Sequence, residues 1–273
     1  FGDGFSNNLA YTIGLARNNT YNDPVFPTGG SNFSVTAKLS LPYSLFNGVD
    51  YEQLQVERDQ WLEIQNNTDN STIIRNQAAD QVGLIDQERF KWLEFYKIKM
   101  KGEWYTRLFG KFIVKSGVEF GFLGAYNQAR GVIPFERYFL GGDGLGAFSL
   151  DGREAIALRG YPNQALQPID DENFITNDGG TIYNKFSMEL RYPISMSQTA
   201  KIYLLGFVEG GVSYVEFKDY NPFNLYRSSG AGVRIFMPAF GLLGIDFGYG
   251  FDPLPGQITP NGWETHFIIG QQF

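Results

Sequence analysis

The chain alternates. From residue 8 to 17, NLAYTIGLAR sets Leu9, Tyr11, Ile13 and Leu15 on one side and Asn8, Ala10, Thr12 and Gly14 on the other, which is the two-residue period of a pleated strand with unlike faces. Residues 32–41 repeat it, with Phe33, Val35, Ala37, Leu39 and Leu41 against Asn32, Ser34, Thr36, Lys38 and Ser40. Further runs at 90–106, 112–122, 183–194, 200–215, 227–237, 241–251 and 263–273 bring the expected total to nine strands. Several are longer than the roughly five or six residues usual in soluble sheets, and approach the roughly ten that a strand needs to cross a bilayer. Repeated long alternation confines the chain to all-β architectures.

A soluble sandwich also buries one face and wets the other, so the period alone does not separate it from a membrane barrel. The composition of the faces does favour lipid. Trp92, Tyr96, Ile98, Met100 and Trp104 oppose Lys97, Lys99, Lys101 and Glu103; Phe112, Val114, Val118, Phe120 and Phe122 oppose Lys111, Lys115 and Glu119. Leu243, Ile245, Phe247, Tyr249 and Phe251 oppose Gly244, Asp246, Gly248 and Gly250. Connections also alternate: MPAFG and PISMSQTA are short, whereas 42–89, 124–182, 217–226 and 252–262 are long, as in barrels with short turns on one side of a membrane and long loops on the other. The mean hydropathy of -0.23 does not conflict, because transmembrane strands carry only a weak alternating signal.

Other readings have less support. A net charge of -7 argues against a nucleic-acid surface, which would be basic. Without cysteine there is no disulfide, thiol nucleophile or thiolate metal site in this stretch. His266 is the single histidine and no G-x-S-x-G is present, so no catalytic residue, cofactor or metal is expected. GGDGLG at 141–146 lacks the lysine of a phosphate loop and reads as a flexible loop approach. Asp170, Asp171, Glu172 and Asp178 depart from calcium-loop spacing and read as a solvated tip. Residues 47–88 break the alternation and are rich in Asn, Gln, Asp and Glu, a polar insertion with short helices expected around Tyr51 to Ile64. FGDGFSNNLAY lacks the basic and apolar regions of an export signal, so a mature or truncated segment is expected. An odd strand count should not close a bacterial barrel alone, which makes 1–273 the expected C-terminal portion of a larger one.

Several stretches together resemble a known family. FERYFLGGDGL, LRGY, YNKFSMELRYPI, GFVEGGVSY, GAGVRIFMPAFGLLGIDFGYGFD and HFIIGQQF are similar, in that order, to the C-terminal part of the barrel of the BamA family of outer-membrane protein assembly factors, in the form found in the Bacteroidota. The resemblance implies a transmembrane antiparallel β-barrel of about 16 strands, of which this chain would supply nine, with the earlier strands and the periplasmic substrate-handling domains lying outside it. It implies that loop six, 124–182, folds back inside, with Leu158, Arg159, Gly160 and Tyr161 as its motif and Glu189 and Glu209 as acidic partners of Arg159. Alternation with Phe186, Met188, Leu190 and Tyr192 independently turns Glu189 inward; Glu209 shares its face with Tyr203, Leu205 and Phe207, which leaves its direction open. His266, Phe267, Ile268, Ile269, Gly270, Gln271, Gln272 and Phe273 would form the seam strand, Phe267, Ile269 and Phe273 facing out. The family reading carries the bacterial outer membrane as location. Its partners would be nascent β-barrel clients, accessory lipoproteins, other assembly subunits and the lipid bilayer. A two-partner secretion transporter and a passive porin are the alternatives.

Overall fold

A computed structural model of the chain describes residues 5–21, 23–144, 153–166, 168 and 179–270. Nine strands form one sheet: β1 Ala10–Asn18, β2 Gly30–Ser40, β3 Tyr96–Arg107, β4 Ile113–Gly124, β7 Ile182–Met196, β8 Lys201–Tyr214, β9 Tyr226–Met237, β10 Gly241–Pro253 and β11 Pro260–Gly270, paired in that order. Two three-residue strands within loop six, β5 Tyr138–Leu140 and β6 Glu154–Ile156, pair in parallel outside it. The chain divides into two compact units, one of Phe1–Ile13, Ala37–Lys97 and Leu123–Ile133, the other of Gly14–Thr36, Ile98–Phe122 and Pro134–Phe273.

In the second unit β7 to β11 are antiparallel neighbours, with Glu189↔Phe207 and Asp246↔His266 in register and shifts only at Pro193/Ser195 and Gly250/Pro253. Their outer face is apolar and uncovered: Met188, Ile194, Val208, Phe247, Trp263, Phe267 and Ile269 are all exposed. Phe247 is 55% and Ile245 38% exposed, where the interior of a sandwich would bury both. An apolar band of this extent is more than a water-facing sheet carries and is what hydrocarbon covers. The opposite, inner face is defined by loop six lying on it.

The inner face is not uniformly polar. Val25 and Phe26, between Pro24 and Pro27, pack on Ile113, Tyr203, Leu205, Phe207, Phe236 and Leu242. Asp23 turns the chain there by accepting from the Val25 and Phe26 amides at 2.8 and 3.2 Å and pairing with Lys201 at 2.6 Å. The side chains of Tyr203, Leu205 and Phe207 are thus inward, which settles the direction of Glu209 that the alternation leaves open.

The first unit holds the polar insertion as two helices, α1 Tyr51–Asn66 and α2 Thr72–Arg89. The expectation of short helices near 51–64 undercounts them. Asp50 caps α1 through the Gln53 amide, Ser71 caps α2 through the Ile74 amide, and Arg58 ties the two by a forked pair with Asp86 at 2.7 and 3.2 Å. Arg130 is fully buried at their base; its Nε donates to the Arg89 carbonyl at 2.7 Å while Arg89 Nη2 donates to the Arg130 carbonyl at 2.6 Å. The expected strand start at residue 90 moves to 96: Phe90 caps α2, and Glu94 and Phe95 are fully buried.

Candidate functional site

Loop six reaches the inner face through its own short pairing. Beyond the parallel β5 and β6 pair an isolated antiparallel bridge joins Gly142 and Leu158, and Arg159 follows it over β7, β8 and β10. Gly141, Gly142 and Gly144 all have positive φ, and a side chain at Gly142 would collide with Asn163. The glycine run is therefore a tight packing turn against the returning loop.

Arg159 is 5% exposed. Its Nη2 donates to Glu189 Oε1 at 2.8 Å and Glu209 Oε1 at 2.6 Å, and its Nη1 donates to Asp246 Oδ2 at 3.0 Å. Its amide donates to Glu209 Oε2 at 3.0 Å, and the guanidinium carbon lies 3.7 Å from the centre of the Phe207 ring. A planar fork with five donors suits three convergent carboxylates; an ammonium does not. Burial alone would lower the pKa of Arg159, but Glu209, Glu189 and Asp246 outweigh it and raise it, so the seated guanidinium stays charged.

Each carboxylate has a second cation on the wall. Arg191 donates to Glu189 Oε2 at 2.5 and 2.8 Å, Arg234 grips Asp246 at 2.5 and 2.7 Å, and Lys185 stands 3.3 Å from Glu209 while donating to the Ala157 carbonyl at 2.6 Å. Such a shared network offsets the desolvation that a lone buried pair would not recover.

Backbone fit is as specific as charge. Gly160 has φ +88, and a Cβ there would lie 2.8 Å from Ser228 Cβ and 3.0 Å from the Tyr249 carbonyl carbon. From the wall side, a Cβ on Gly248 would lie 2.7 Å from Gly160 N, and one on Gly250 would lie 2.4 Å from Gly160 O. The Gly160 N–H donates to His266 Nε2 at 2.8 Å and its carbonyl accepts from Asn261 Nδ2 at 2.9 Å. Tyr161 is fully buried; its hydroxyl donates to the Arg227 carbonyl at 2.7 Å and accepts from the Asp252 amide at 3.2 Å. Burial pushes its phenol up to about 12.

The structure thus brings together Leu158, Arg159, Gly160, Tyr161, Glu189, Glu209 and His266, the residues that sequence reasoning singles out for the motif, its partners and the first position of the seam stretch. On that strand Phe267 and Ile269 are exposed outward, while Ile268 and Gly270 are half-buried. Gln271, Gln272 and Phe273, and the acidic stretch from Asp170 to Asp178, lie outside the described residues. Sequence reasoning assigns no role to Asp246, Phe207 or Asn261. Asp246 did carry a signal: it is a lone carboxylate among Gly244, Gly248 and Gly250 on the inward face.

A family model for the Omp85 superfamily domain matches residues 2–273. The chain belongs to the Omp85 superfamily. Among solved structures, the Omp85 chain is similar to BamA from Haemophilus ducreyi lacking POTRA domains 1–3, with a TM-score of 0.57 and 15% identity. The alignment covers 95% of the Omp85 chain and 42% of the other, so the chain spans less than half of that structure. At this identity the likeness gives the fold, an antiparallel transmembrane barrel sheet. Comparison with curated proteins returns no match.

Proposed function

We propose that this Omp85 chain belongs to an outer-membrane insertase that folds β-barrel clients into the bacterial outer membrane at the edge of its last strand. The observation that carries the reading is the seating of the loop-six motif. Three carboxylates and a glycine floor hold it on the inner wall, directly beside β11, which ends the sheet order. An edge strand presents unpaired backbone groups that can template an incoming strand. A loop clamped within the wall also argues against the passive pore.

On this reading the chain supplies the C-terminal strands of a barrel of about 16, and the remaining strands and the periplasmic substrate-handling domains belong to the rest of the protein. No covalent chemistry is assigned: the client's own folding in lipid provides the free energy, and the edge lowers the barrier. Clients, accessory lipoproteins and lipid are the partners; an acidic chain offers nucleic acid no basic surface.

The test places the full-length protein in liposomes with a urea-unfolded β-barrel client and follows the heat-modifiable folded band. Wild type should accelerate folding over empty liposomes, and Arg159→Ala should lower that acceleration about tenfold or more. Client folding no faster than in empty liposomes overturns the reading; passage of an unfolded polypeptide into the lumen without its insertion would make the chain a secretion transporter instead.

A further inference from the structure

We propose that His266 and Asn261 are positioning residues that latch loop six to the last strand, with His266 serving only while its Nε2 is free of a proton. This rests on the insertase reading for its purpose but not for its geometry.

The Gly160 peptide is gripped at both ends by one strand. Its N–H donates to His266 Nε2 and its carbonyl accepts from Asn261 Nδ2, at 2.8 and 2.9 Å. Both side chains rise from β11, whereas every carboxylate that holds Arg159 rises from β7, β8 or β10. The arginine therefore fastens the loop to the wall, and the Gly160 peptide fastens the loop to the strand. β11 is bonded along one side to β10. The latch gives it a second attachment, across the inner face, that does not run through the ladder.

An imidazole nitrogen accepts a hydrogen bond only when unprotonated, and an imidazolium presents N–H there instead. His266 is 4% exposed, so water cannot replace the lost acceptor without opening the site. The charged groups around it are Asp143 and Arg159 from loop six, Asp246 from β10 and Glu264 from β11 itself. With Gly160 N–H facing His266 Nε2, an added proton there forces the loop and the strand apart. Histidine is the side chain that takes up a proton most readily as neutral solution is acidified, which makes the latch sensitive to acid.

Hydrogen exchange on the full-length protein in liposomes tests this, read as protection of the peptides spanning 158–161 and 260–270 relative to unstructured-chain rates. In wild type, protection of both should fall about tenfold between pH 8 and pH 5. His266→Leu should lack that protection at either pH. His266→Gln, whose amide oxygen accepts but does not titrate, should keep it at both, and Asn261→Ala should lower it without changing the pH profile. Equal protection in wild type and His266→Leu overturns the proposal, as does a His266→Gln profile that falls with acid like wild type. Client folding is measured in parallel. Failure of wild type to fold clients with the exchange pattern intact strikes the insertase reading alone, whereas active protein with no His266 dependence of exchange strikes the latch alone.

Discussion

Gly250→Ala tests whether loop six is held by fit as well as by charge. The added methyl would lie 2.4 Å from Gly160 O and 2.9 and 3.0 Å from the Tyr161 ring, about 1 Å closer than an ordinary carbon to oxygen contact. Retreat of Gly160 is blocked on one side, because its Cα already lies 3.0 Å from where a Cβ on Gly248 would sit. Movement in the open direction lengthens the 2.9 Å bond from Asn261 and drags Arg159 off three carboxylates. Overpacking costs about 1–3 kcal/mol and one lost hydrogen bond about 1 kcal/mol. Together these come to about 2–4 kcal/mol, or roughly a 30- to 1,000-fold shift against the seated loop.

The assay is limited proteolysis of loop six in intact membranes, with Gly270→Ala as control, since a Cβ there meets nothing within 4 Å. Gly250→Ala should be cut within loop six under conditions that leave wild type and Gly270→Ala whole. Identical resistance of the two alanine variants would refute the claim that the glycine floor seats the motif.

Two further outcomes follow from the same geometry. Asp246 is fully buried between Arg159 and Arg234, so Asp246→Asn should destabilise the protein in liposomes by about 3–5 kcal/mol in urea titration followed by tryptophan fluorescence; adding Arg234→Met should recover about 1–3 kcal/mol of the loss, and strict additivity of the two would contradict the network. Arg130→Leu removes a buried guanidinium that lies over the Tyr51 and Phe90 rings and donates to the carbonyls of Arg89 and Trp92, so protease should release the α1 and α2 insertion while the wall strands stay protected, with a loss of about 2–4 kcal/mol in that unit alone.

Nine strands are legible in the sequence because a strand with hydrocarbon on one face and a wall interior on the other must alternate, and β7 and β10 do so over about ten residues or more each. The period misleads where burial has another cause. Residues 90–95 read as the start of a strand, yet Phe90 caps α2 and Leu93, Glu94 and Phe95 are buried in succession rather than alternately. The helix α2 is polar and amide-rich, with little apolar stripe to reveal it, although Ser71 ahead of it is a cap signal. Glu209 shows a deeper limit. Tyr203, Leu205 and Phe207 look lipid-facing in sequence, yet they are buried by Val25, Phe26 and the guanidinium of Arg159. A long-range partner converts an aromatic face from outer to inner, and alternation is blind to which side supplies the partner. Asp246 was legible by phase and lacked only a reason.

The charge count in the wall bears on how the loop can move. Without loop six, Glu189, Glu209 and Asp246 would still face Arg191, Lys185 and Arg234, three anions against three cations. Arg159 joins a wall that is already neutral, and its departure strands no carboxylate. Breaking a lone buried pair leaves an unpaired charge at a cost of about 3–5 kcal/mol; here the three acids keep their second partners and only the arginine must be taken up by water. The seat is therefore selective, because three convergent carboxylates and a glycine floor admit little but an Arg-Gly pair, while the release of the loop is cheaper than three ion pairs suggest. A clasp of this kind suits a loop that must be placed accurately beside the last strand and still let go.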